Sequence, residues 1–417
     1  MNTAETRQPD PLATPVELPC GAVIKNRFMK SAMSEIMGTA DNRPTARLER
    51  LYNAWAWGGA GVAVTGNVMV DAAALGEPRN VVIEDGRHLE WLRSWAKAGR
   101  ENHTHIWVQL NHPGKQSPKT LSPEPVAPSA VPFSSPTLKR FFNPPRELLP
   151  VEIEGIIERF ANAADIARQA GFTGVQIHAA HGYLISQFLS PQHNLRTDEW
   201  GGCLENRMRF LLEIYRAIRG RVGDQFPVAV KINSADFMRG GFTEEEALQV
   251  VGALAGAGID LVEISGGTYE SPAMAGRRAE SATGSKREAY FLSFAAKLRE
   301  SIAIPLAVTG GFRTADGMRA AVDEGALDMV GLARPMAIDP ELPNRILQGE
   351  PYVSAVRPLK TGVEWLDKSA MLEVTWYEQQ LARIAAGKPT LPGLSVWKSL
   401  FQTMISSGFQ VFQRRRG

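Results

Sequence analysis

The sequence predicts a single α/β domain, a (β/α)8 barrel in which eight parallel strands, each followed by a helix, close into a ring. Three observations support this fold: eight short apolar runs recur along the chain, helical patterns lie between them, and polar or glycine-rich residues follow several runs. Eight such units close a barrel, which ordinarily takes about 250 residues and more with insertions. We assign residues 1–373 to the barrel and residues 374–417 to a C-terminal helical tail.

The predicted strands are short runs rich in Val, Ile, Leu and Ala. Several are apolar throughout rather than alternating, as expected of parallel strands that are covered on both faces. In chain order they cover residues 27–32, 61–66, 105–110, 174–179, 227–233, 261–266, 305–310 and 329–333.

Helical periodicity fills the segments between the strands. Apolar residues recur on one face of residues 153–167, and Gly171 follows just before the next strand, where a helix commonly ends on glycine. A further helix begins at Thr243, whose side chain and that of Glu246 are spaced to cap each other's backbone N–H groups. Strand and helix signals therefore alternate, as a barrel requires.

Two segments fall outside the repeating unit. Ten of the 27 prolines lie in residues 112–150, in the loop after the third strand, so we expect a lid or rim at the active-site face. The tail begins near Val374 and has an apolar stretch from Trp397 to Phe412, followed by three arginines at 414–416. Such a basic amphipathic tail can dock on a membrane surface. We favour packing on the barrel or on a partner subunit of a homo-oligomer.

The composition excludes several classes of protein. The formal net charge is +2, from 46 basic and 44 acidic residues, so no global field recruits nucleic acid or an anionic membrane. Cys20 and Cys203 form neither a disulfide framework nor a CxxC metal motif. The N-terminal segment lacks a signal-peptide pattern and no stretch has eighteen consecutive apolar residues. We therefore expect a cytoplasmic protein without a transmembrane segment.

Two histidines and a tyrosine follow the fourth predicted strand. His178, His181 and Tyr183 lie at its carboxyl end, where barrel enzymes carry their catalytic groups. Two neutral imidazoles can donate to one carbonyl or nitro oxygen, and a phenol can protonate a nearby carbon. The spacing would also suit half of a zinc site, but the nearest third ligand, His193, is in the following loop and no cysteine is close. A purely structural pair of histidines is the other alternative.

Two polar residues, on the third and fifth strands, are candidate contacts of a planar ligand. Gln109 ends the third strand and could hydrogen-bond a heterocycle through both amide atoms, although a rim glutamine can equally be solvated. Lys231 lies among apolar residues in the fifth strand, so it needs an anionic partner. That partner is either a structural carboxylate or the electron-rich edge of a reduced flavin.

Glycines and an arginine follow the last two strands. Gly310 and Gly311 come after the seventh strand, and Arg334 comes after the eighth. In this fold the loops at these positions, with the N-terminus of a short helix, usually bind phosphate. A tight turn that merely needs glycine is the alternative, but the donor fork of Arg334 favours a phosphate site.

These features together resemble the Old Yellow Enzyme family of FMN-dependent ene-reductases, also called NADH:flavin oxidoreductases, from about residue 24 to residue 340. The most specific segments are IHAAHGYLISQFLSP at 177–191 and NLRTDEWGGCLENR at 194–207. The segments GGFR at 310–313, GLARP at 331–335 and KNR at 25–27 agree with the family pattern. The resemblance implies a barrel that binds FMN across its mouth.

The resemblance also implies roles for individual residues. His178 and His181 would bind the oxygen of an activated alkene, and Tyr183 would give the alkene a proton. NADH or NADPH would reduce FMN in one half of a ping-pong cycle and the alkene would accept hydride in the other, with no metal. The residues that would contact FMN are Ser31, Ala32, Met33, Ser34, Thr65, Gln109, Lys231, Gly311, Ala333 and Arg334.

Two positions depart from the family pattern. Ser34 stands where many members have threonine or cysteine and is followed by Glu35, and the second strand reads Val64-Thr-Gly-Asn67 in place of a common Glu-Ala-Thr variant. With two cysteines, we expect no iron–sulfur domain of the kind found in larger relatives. Three alternatives stay open: an FMN-dependent oxidase or demethylase of amines or alcohols, a flavin-free aldolase or isomerase of phosphorylated substrates, and a barrel used only for binding.

Overall fold

Eight parallel strands form a closed ring in the computed structural model, which describes residues 9–266, 291–363 and 371–402. The strands are β1 (Phe28–Lys30), β2 (Val62–Met69), β3 (His105–Asn111), β4 (Gly174–Ala179), β5 (Val228–Asn233), β6 (Leu261–Ser265), β7 (Leu306–Thr309) and β8 (Met329–Leu332). Strand β1 pairs with both β2 and β8, which closes the ring and confirms the predicted (β/α)8 barrel. Strand β2 extends past its predicted end because residues 67–69 pair with β3 beyond a bulge.

Helices cover the outside of the ring. The main ones are α1 (Ala46–Trp57), α2 (Leu89–Gly99), α3 (Pro150–Ala170), α4 (Leu204–Val222), α5 (Glu244–Ala257), α6 (Leu292–Arg299), α7 (Ala315–Asp323) and α8 (Met371–Ala385). Gly171 ends α3 with a φ of 90°, and Thr243 and Glu246 form the predicted capping box of α5. In the described part of the chain, none of the helices combines the length and the apolarity that crossing a bilayer requires.

The strands separate two apolar cores. The inner one fills the barrel with side chains that alternate along each strand, and the larger outer one lies between the strands and the helices. Side chains two positions apart on a strand point to the same face of the sheet. The polar residues that come two positions after the inner-core residues therefore also point into the barrel, nearer the carboxyl ends of the strands. The inner core includes Met29, Val62, Val64, Trp107, Ala229, Leu261, Ala307 and Met329.

The proline-rich insertion follows β3, at the carboxyl-terminal face of the barrel. Within it, Val126–Ala127 pairs in parallel with Arg146–Glu147. Arg196, from the loop after β4, donates to the carbonyl oxygens of Pro128 (3.0 Å) and Leu148 (2.6 Å). This buried arginine fastens the insertion to the loop after β4, and movement of the insertion as a lid stays a prediction.

Helix α8 packs against α1. Its buried residues Trp376, Tyr377 and Leu381 belong to the same outer core as Leu51 and Tyr52 of α1. Apolar contact with the barrel therefore holds this helix in place.

The predicted boundary between residues 373 and 374 falls inside α8, and a division of the chain at that point stays a prediction. Residues 396–402 are helical, and Trp397 and Phe401 are more than half exposed. The arginines at 414–416 lie outside the described residues. The choice between membrane docking and packing for that end of the chain is therefore still a prediction.

Truncation of Leu381 to alanine tests the packing of α8 on the barrel. Leu381 is fully buried, so the change leaves a cavity, and we expect the free energy of unfolding to fall by about 2–5 kcal/mol in urea denaturation. Leu391→Ala is the matched control, because Leu391 is 43% exposed and its truncation should cost under about 0.5 kcal/mol. Equal losses at the two positions would contradict the packing.

Candidate active site

The turn after β4 brings His178, His181 and Tyr183 together. His181 has a φ of 61°, a left-handed conformation that turns the chain at the barrel mouth. The His178 ring centroid lies 5.1 Å from that of His181 and 4.8 Å from that of Tyr183, edge to face in both cases. The three residues therefore form one cluster.

Neighbouring elements hold this turn. The backbone N–H of His181 donates to Asn233 Oδ1 (3.2 Å), and Gln116 Nε2 donates to the carbonyl oxygen of His181 (2.9 Å). Asn233 ends β5 and Gln116 belongs to the loop after β3, so the strands on both sides of β4 contribute. A left-handed residue other than glycine costs roughly 1–2 kcal/mol and persists where surrounding contacts enforce it.

Both imidazoles are neutral at pH 7. Burial, followed by the effects of His181 and Lys231, lowers the pKa of His178 well below its usual value. Burial, followed by the charge of Lys231, does the same to the pKa of His181. Each ring therefore has one N–H donor and one acceptor nitrogen.

The hydrogen-bond partners of these rings bear on where their protons lie. Nδ1 of His178 accepts the backbone N–H of Ala180 (3.3 Å), so the His178 proton lies on Nε2. Nε2 of His181 lies 2.8 Å from Ser265 Oγ, and a serine that donates there leaves the His181 proton on Nδ1. Each ring then offers one N–H to a ligand oxygen.

A chain of buried polar side chains crosses the barrel one layer above the inner core. Gln109 Nε2 donates to Gln176 Oε1 (2.7 Å), and Gln176 Nε2 donates to Glu263 Oε2 (2.7 Å). Glu263 Oε1 forms an ion pair with Lys231 Nζ at 2.9 Å. The four residues come from β3, β4, β6 and β5, so the ring itself supplies this polar layer.

The ion pair shows that a structural carboxylate is a partner of Lys231. Burial acts to raise the pKa of Glu263, but Lys231 and hydrogen bonds from Thr309 and Gln176 outweigh it and hold the pKa below its usual value. Thr309 Oγ1 donates to Glu263 (2.7 Å) and lies 2.7 Å from Ser31 Oγ, which extends the layer to β1. An ammonium has three donors, so a contact of Lys231 with flavin stays a prediction alongside the ion pair.

Ser34 contacts two carboxyl groups that no sequence pattern indicated. Its hydroxyl oxygen lies 2.5 Å from Glu77 Oε2 and 3.2 Å from Glu378 Oε1. Burial, followed by the charge of Glu77, raises the pKa of Glu378 to about 8, and burial also raises the pKa of Glu77. One hydroxyl donates a single hydrogen, and a carboxyl group that is protonated would supply the second.

Lys30 and Glu35 form another buried pair. Lys30 Nζ donates to the carbonyl oxygen of Val64 (3.0 Å), and it lies 4.0 Å from Glu35 Oε1 and 4.0 Å from the centre of the Trp55 ring. Burial lowers the pKa of Lys30 to about 8. Glu35 accepts the backbone N–H of Gly66 (3.1 Å), so the pair ties the end of β1 to β2.

The predicted phosphate residues lie after β7 and β8. Gly310 and Gly311 have φ values of 107° and 87°, which favour glycine, and Arg334 begins the short helix Arg334–Ile338 directly after Ala333. Arg334 Nη1 donates to Glu373 Oε2 of α8 at 2.8 Å. The left-handed glycines fit either a phosphate loop or a tight turn, and contact of these loops with phosphate stays a prediction.

The donor set at the barrel mouth fits FMN. An amide, Gln109, and a cation, Lys231, lie in one buried layer, as a planar heterocycle with an electron-rich edge requires. Both amide atoms of Asn111 are buried and have no hydrogen-bond partner among the described residues. Such atoms are uncommon in a finished fold, and a bound group at the mouth would supply partners. Thr65 Oγ1 bonds backbone groups of Gly66 and Gln109 instead, and its flavin contact stays a prediction.

The zinc alternative finds no support in the described residues. No group of three or more His, Cys, Asp or Glu side chains there is placed to hold a metal ion. His193, the third ligand considered, has its Nδ1 3.1 Å from Lys115 Nζ.

Sequence reasoning missed several residues of this site. Gln176 and Glu263 could have been noticed in the sequence, because each is a polar residue inside an otherwise apolar strand. The hydrogen bond between them could not have been predicted. Glu77 and Glu378 carry none, since each lies in a segment without a recognisable motif.

A model of the NADH:flavin oxidoreductase / NADH oxidase family matches residues 11–352. The NADH-dependent flavin oxidoreductase iliE of Hypocrea jecorina is 38% identical over 363 residues, which cover 80% of this chain and 88% of that relative. The NADH oxidase of Thermoanaerobacter brockii is 34% identical over 78% of this chain, which spans only 49% of that longer protein.

Solved structures agree with this match. The old yellow enzyme homologue from Zymomonas mobilis has a TM-score of 0.69 at 25% identity, over 83% of this chain and 94% of that one. Morphinone reductase in complex with tetrahydroNAD has a TM-score of 0.68 at 26% identity, over 83% and 92%. A 2-naphthoyl-CoA reductase complex has a TM-score of 0.74 at 31% identity, over 82% of this chain and 52% of that longer one. The chain therefore belongs to the NADH:flavin oxidoreductase / NADH oxidase family and is an NAD(P)H-dependent FMN oxidoreductase.

Proposed function

We propose that this enzyme reduces the activated carbon–carbon double bond of a small molecule such as an enone, enal or nitroalkene. The observation that carries the proposal is the cluster of His178, His181 and Tyr183. The ring centroid of His178 lies 5.1 Å from that of His181 and 4.8 Å from that of Tyr183. Two neutral donors suit an oxygen that gains negative charge, and a phenol beside them suits a carbon that needs a proton.

The protein binds and polarises the substrate. His178 Nε2–H and His181 Nδ1–H would donate to the substrate oxygen, and each well-placed donor of this kind is worth roughly 3 kcal/mol as an enolate or nitronate forms. Tyr183 would hold a proton near the α-carbon and release it there. Bound FMN, reduced by NADH or NADPH, supplies the hydride.

The cofactor contacts that we propose are those that the family resemblance implies. Gln109 and Lys231 would meet the isoalloxazine ring, and the Lys231 cation would stabilise its electron-rich edge. Ser31 to Ser34 would lie along the ring, with Thr65 at the end of the adjacent strand. Gly311, Ala333 and Arg334 would hold the phosphate through backbone N–H groups and a guanidinium.

We propose a ping-pong cycle as the order of reaction. The relatives include morphinone reductase in complex with tetrahydroNAD, so a nicotinamide and an alkene would use one face of FMN in turn. Family membership removes the flavin-free aldolase or isomerase, because the cofactor is FMN. An oxidase or demethylase of amines or alcohols is the remaining alternative, and the next experiment separates it.

Anaerobic half-reactions test the proposed function. FMN-loaded enzyme reduced by one equivalent of NADH is mixed with 2-cyclohexenone, and absorbance near 450 nm, which is characteristic of oxidised flavin, is followed. We expect the absorbance to return and cyclohexanone to form. A flavin that stays reduced with enones and nitroalkenes, but is reduced by amines or alcohols, would favour the oxidase or demethylase.

Replacement of Tyr183 by phenylalanine tests the proton donor. We expect enone-driven flavin reoxidation to slow by about 10²-fold or more, because general acid catalysis contributes 10²–10⁴-fold. Tyr215→Phe is the matched control, since its hydroxyl bonds the carbonyl oxygen of Ala257 in the outer layer. Undiminished reoxidation in the Tyr183 variant would show that another group gives the proton.

The lowered pKa values of His178 and His181 predict a pH profile. Both rings stay neutral to below the usual pKa of 6.5. The concentration of cyclohexenone that half-saturates the reduced enzyme should therefore be constant from about pH 8 to about pH 6.5, and it should rise only at more acidic pH. The fold should lose stability as pH falls below 6.5, because the unfolded histidines take up protons first. A break near pH 6.5 that His178→Gln abolishes would contradict the neutral assignment.

A further inference from the structure

We propose that Asn67 is a positioning residue that orients the Tyr183 hydroxyl for proton transfer. Asn67 Nδ2 lies 3.3 Å from the phenol oxygen. An amide N–H can only donate, so the phenol oxygen is the acceptor in this bond and its own hydrogen points away from Asn67. The inference rests on the proposed function, in which Tyr183 gives up that hydrogen.

The backbone before Asn67 is shaped to aim its side chain. The pairing of β2 with β3 shifts register between Val64 and Asn67, and a bulge of this kind redirects a side chain. Thr65 Oγ1 donates to the Gly66 carbonyl oxygen (2.8 Å) and accepts the Gln109 N–H (2.9 Å), which fixes the bulge. Beyond the bulge, Asn67 pairs with Gln109 and reaches Tyr183.

The bulge admits only glycine at position 66. A Cβ atom there would lie 2.4 Å from the Met33 carbonyl oxygen and 2.6 Å from Glu35 Oε2. The loop after β1 therefore packs closely against Gly66 and holds the backbone next to Asn67 in place.

The rest of the Asn67 amide does little for the fold. Its Oδ1 atom is buried without a hydrogen-bond partner in the described chain. A buried unpaired oxygen is unfavourable, and an apolar residue of similar size would avoid it. The bond to Tyr183 is the feature that a leucine at this position could not supply.

A hydrogen bond donated by Asn67 stabilises the phenolate that Tyr183 becomes after it releases its proton. In the proton transfer the Tyr183 O–H bond breaks, a C–H bond forms at the substrate α-carbon, and the electron pair stays on the phenolate oxygen. The hydride that bound FMN would supply brings the two electrons that reduce the double bond, and solvent would later return a proton to the phenolate. An N–H group binds a phenolate more strongly than a phenol, so Asn67 assists the transfer.

Two variants test this role by comparing two oxidants of the reduced enzyme. Cyclohexenone needs the proton of Tyr183, whereas ferricyanide accepts electrons alone. We expect the ratio of the enone rate to the ferricyanide rate to fall about tenfold or more in Asn67→Leu, which lacks the donor. Asn67→Asp has nearly the same shape but can only accept, and it should lower the ratio as well.

The matched control is Asn53→Leu in α1, because its amide donates to the Ala98 carbonyl oxygen outside the barrel mouth. We expect the control to keep the wild-type ratio. An unchanged ratio in both Asn67 variants would overturn the proposal. Equal losses of both rates would also overturn it, because Asn67 would then serve the fold.

A spectroscopic titration tests the contact without turnover. In ¹³C-tyrosine-labelled protein the Cζ resonance of Tyr183, identified by its loss in Tyr183→Phe, should titrate at higher pH in Asn67→Leu, by about half a unit or more, because a donor to the phenolate has been removed. No shift would overturn the proposal. If wild-type reduced enzyme is not reoxidised by enones, the proposed function fails, and this titration still decides whether Asn67 orients Tyr183.

Discussion

The buried ion pair of Lys231 and Glu263 is the constraint on which the upper half of the barrel depends. Its atoms lie 2.9 Å apart and neither side chain is more than 4% exposed. Removing one partner of such a pair leaves an unpaired buried charge, which costs roughly 3–5 kcal/mol. Below the pair the barrel is apolar, and above it the side chains are polar. The pair therefore marks the boundary between the scaffold and the site, and Gln176 and Thr309 extend that boundary across the ring.

The same pair influences the protonation of the histidine cluster. Lys231 is the register partner of His178 on the adjacent strand, and its positive charge adds to burial in keeping both imidazoles neutral. A neutral donor can hold an oxygen while negative charge develops on it, and it does so without competing for the proton that Tyr183 would supply. In the proposed reaction, a charge that belongs to the scaffold thus sets the chemical form of the groups that touch the substrate.

The parts of this structure that the sequence could predict are those with a local cause. Parallel barrel strands are buried on both faces, so their apolar runs are visible, and His178, His181 and Tyr183 meet because a single turn joins them. Lys231 was recognisable as a buried cation, but its partner could not be chosen among 44 acidic residues. The two carboxyl groups that contact Ser34 belong to residues 43 and 344 positions away in the chain. Contacts at such separations depend on how the whole ring closes, which no local pattern encodes.

The contacts of α8 have a consequence for how the enzyme is made. Glu373 binds Arg334 and Glu378 binds Ser34, so a helix synthesised after all eight strands holds residues at both ends of the proposed cofactor site. Ribosomes deliver a chain from its N-terminus at about 5–20 residues per second, and the strands emerge seconds before these two carboxyl groups. The wall of the proposed cofactor site is therefore complete only once residue 378 has left the ribosome.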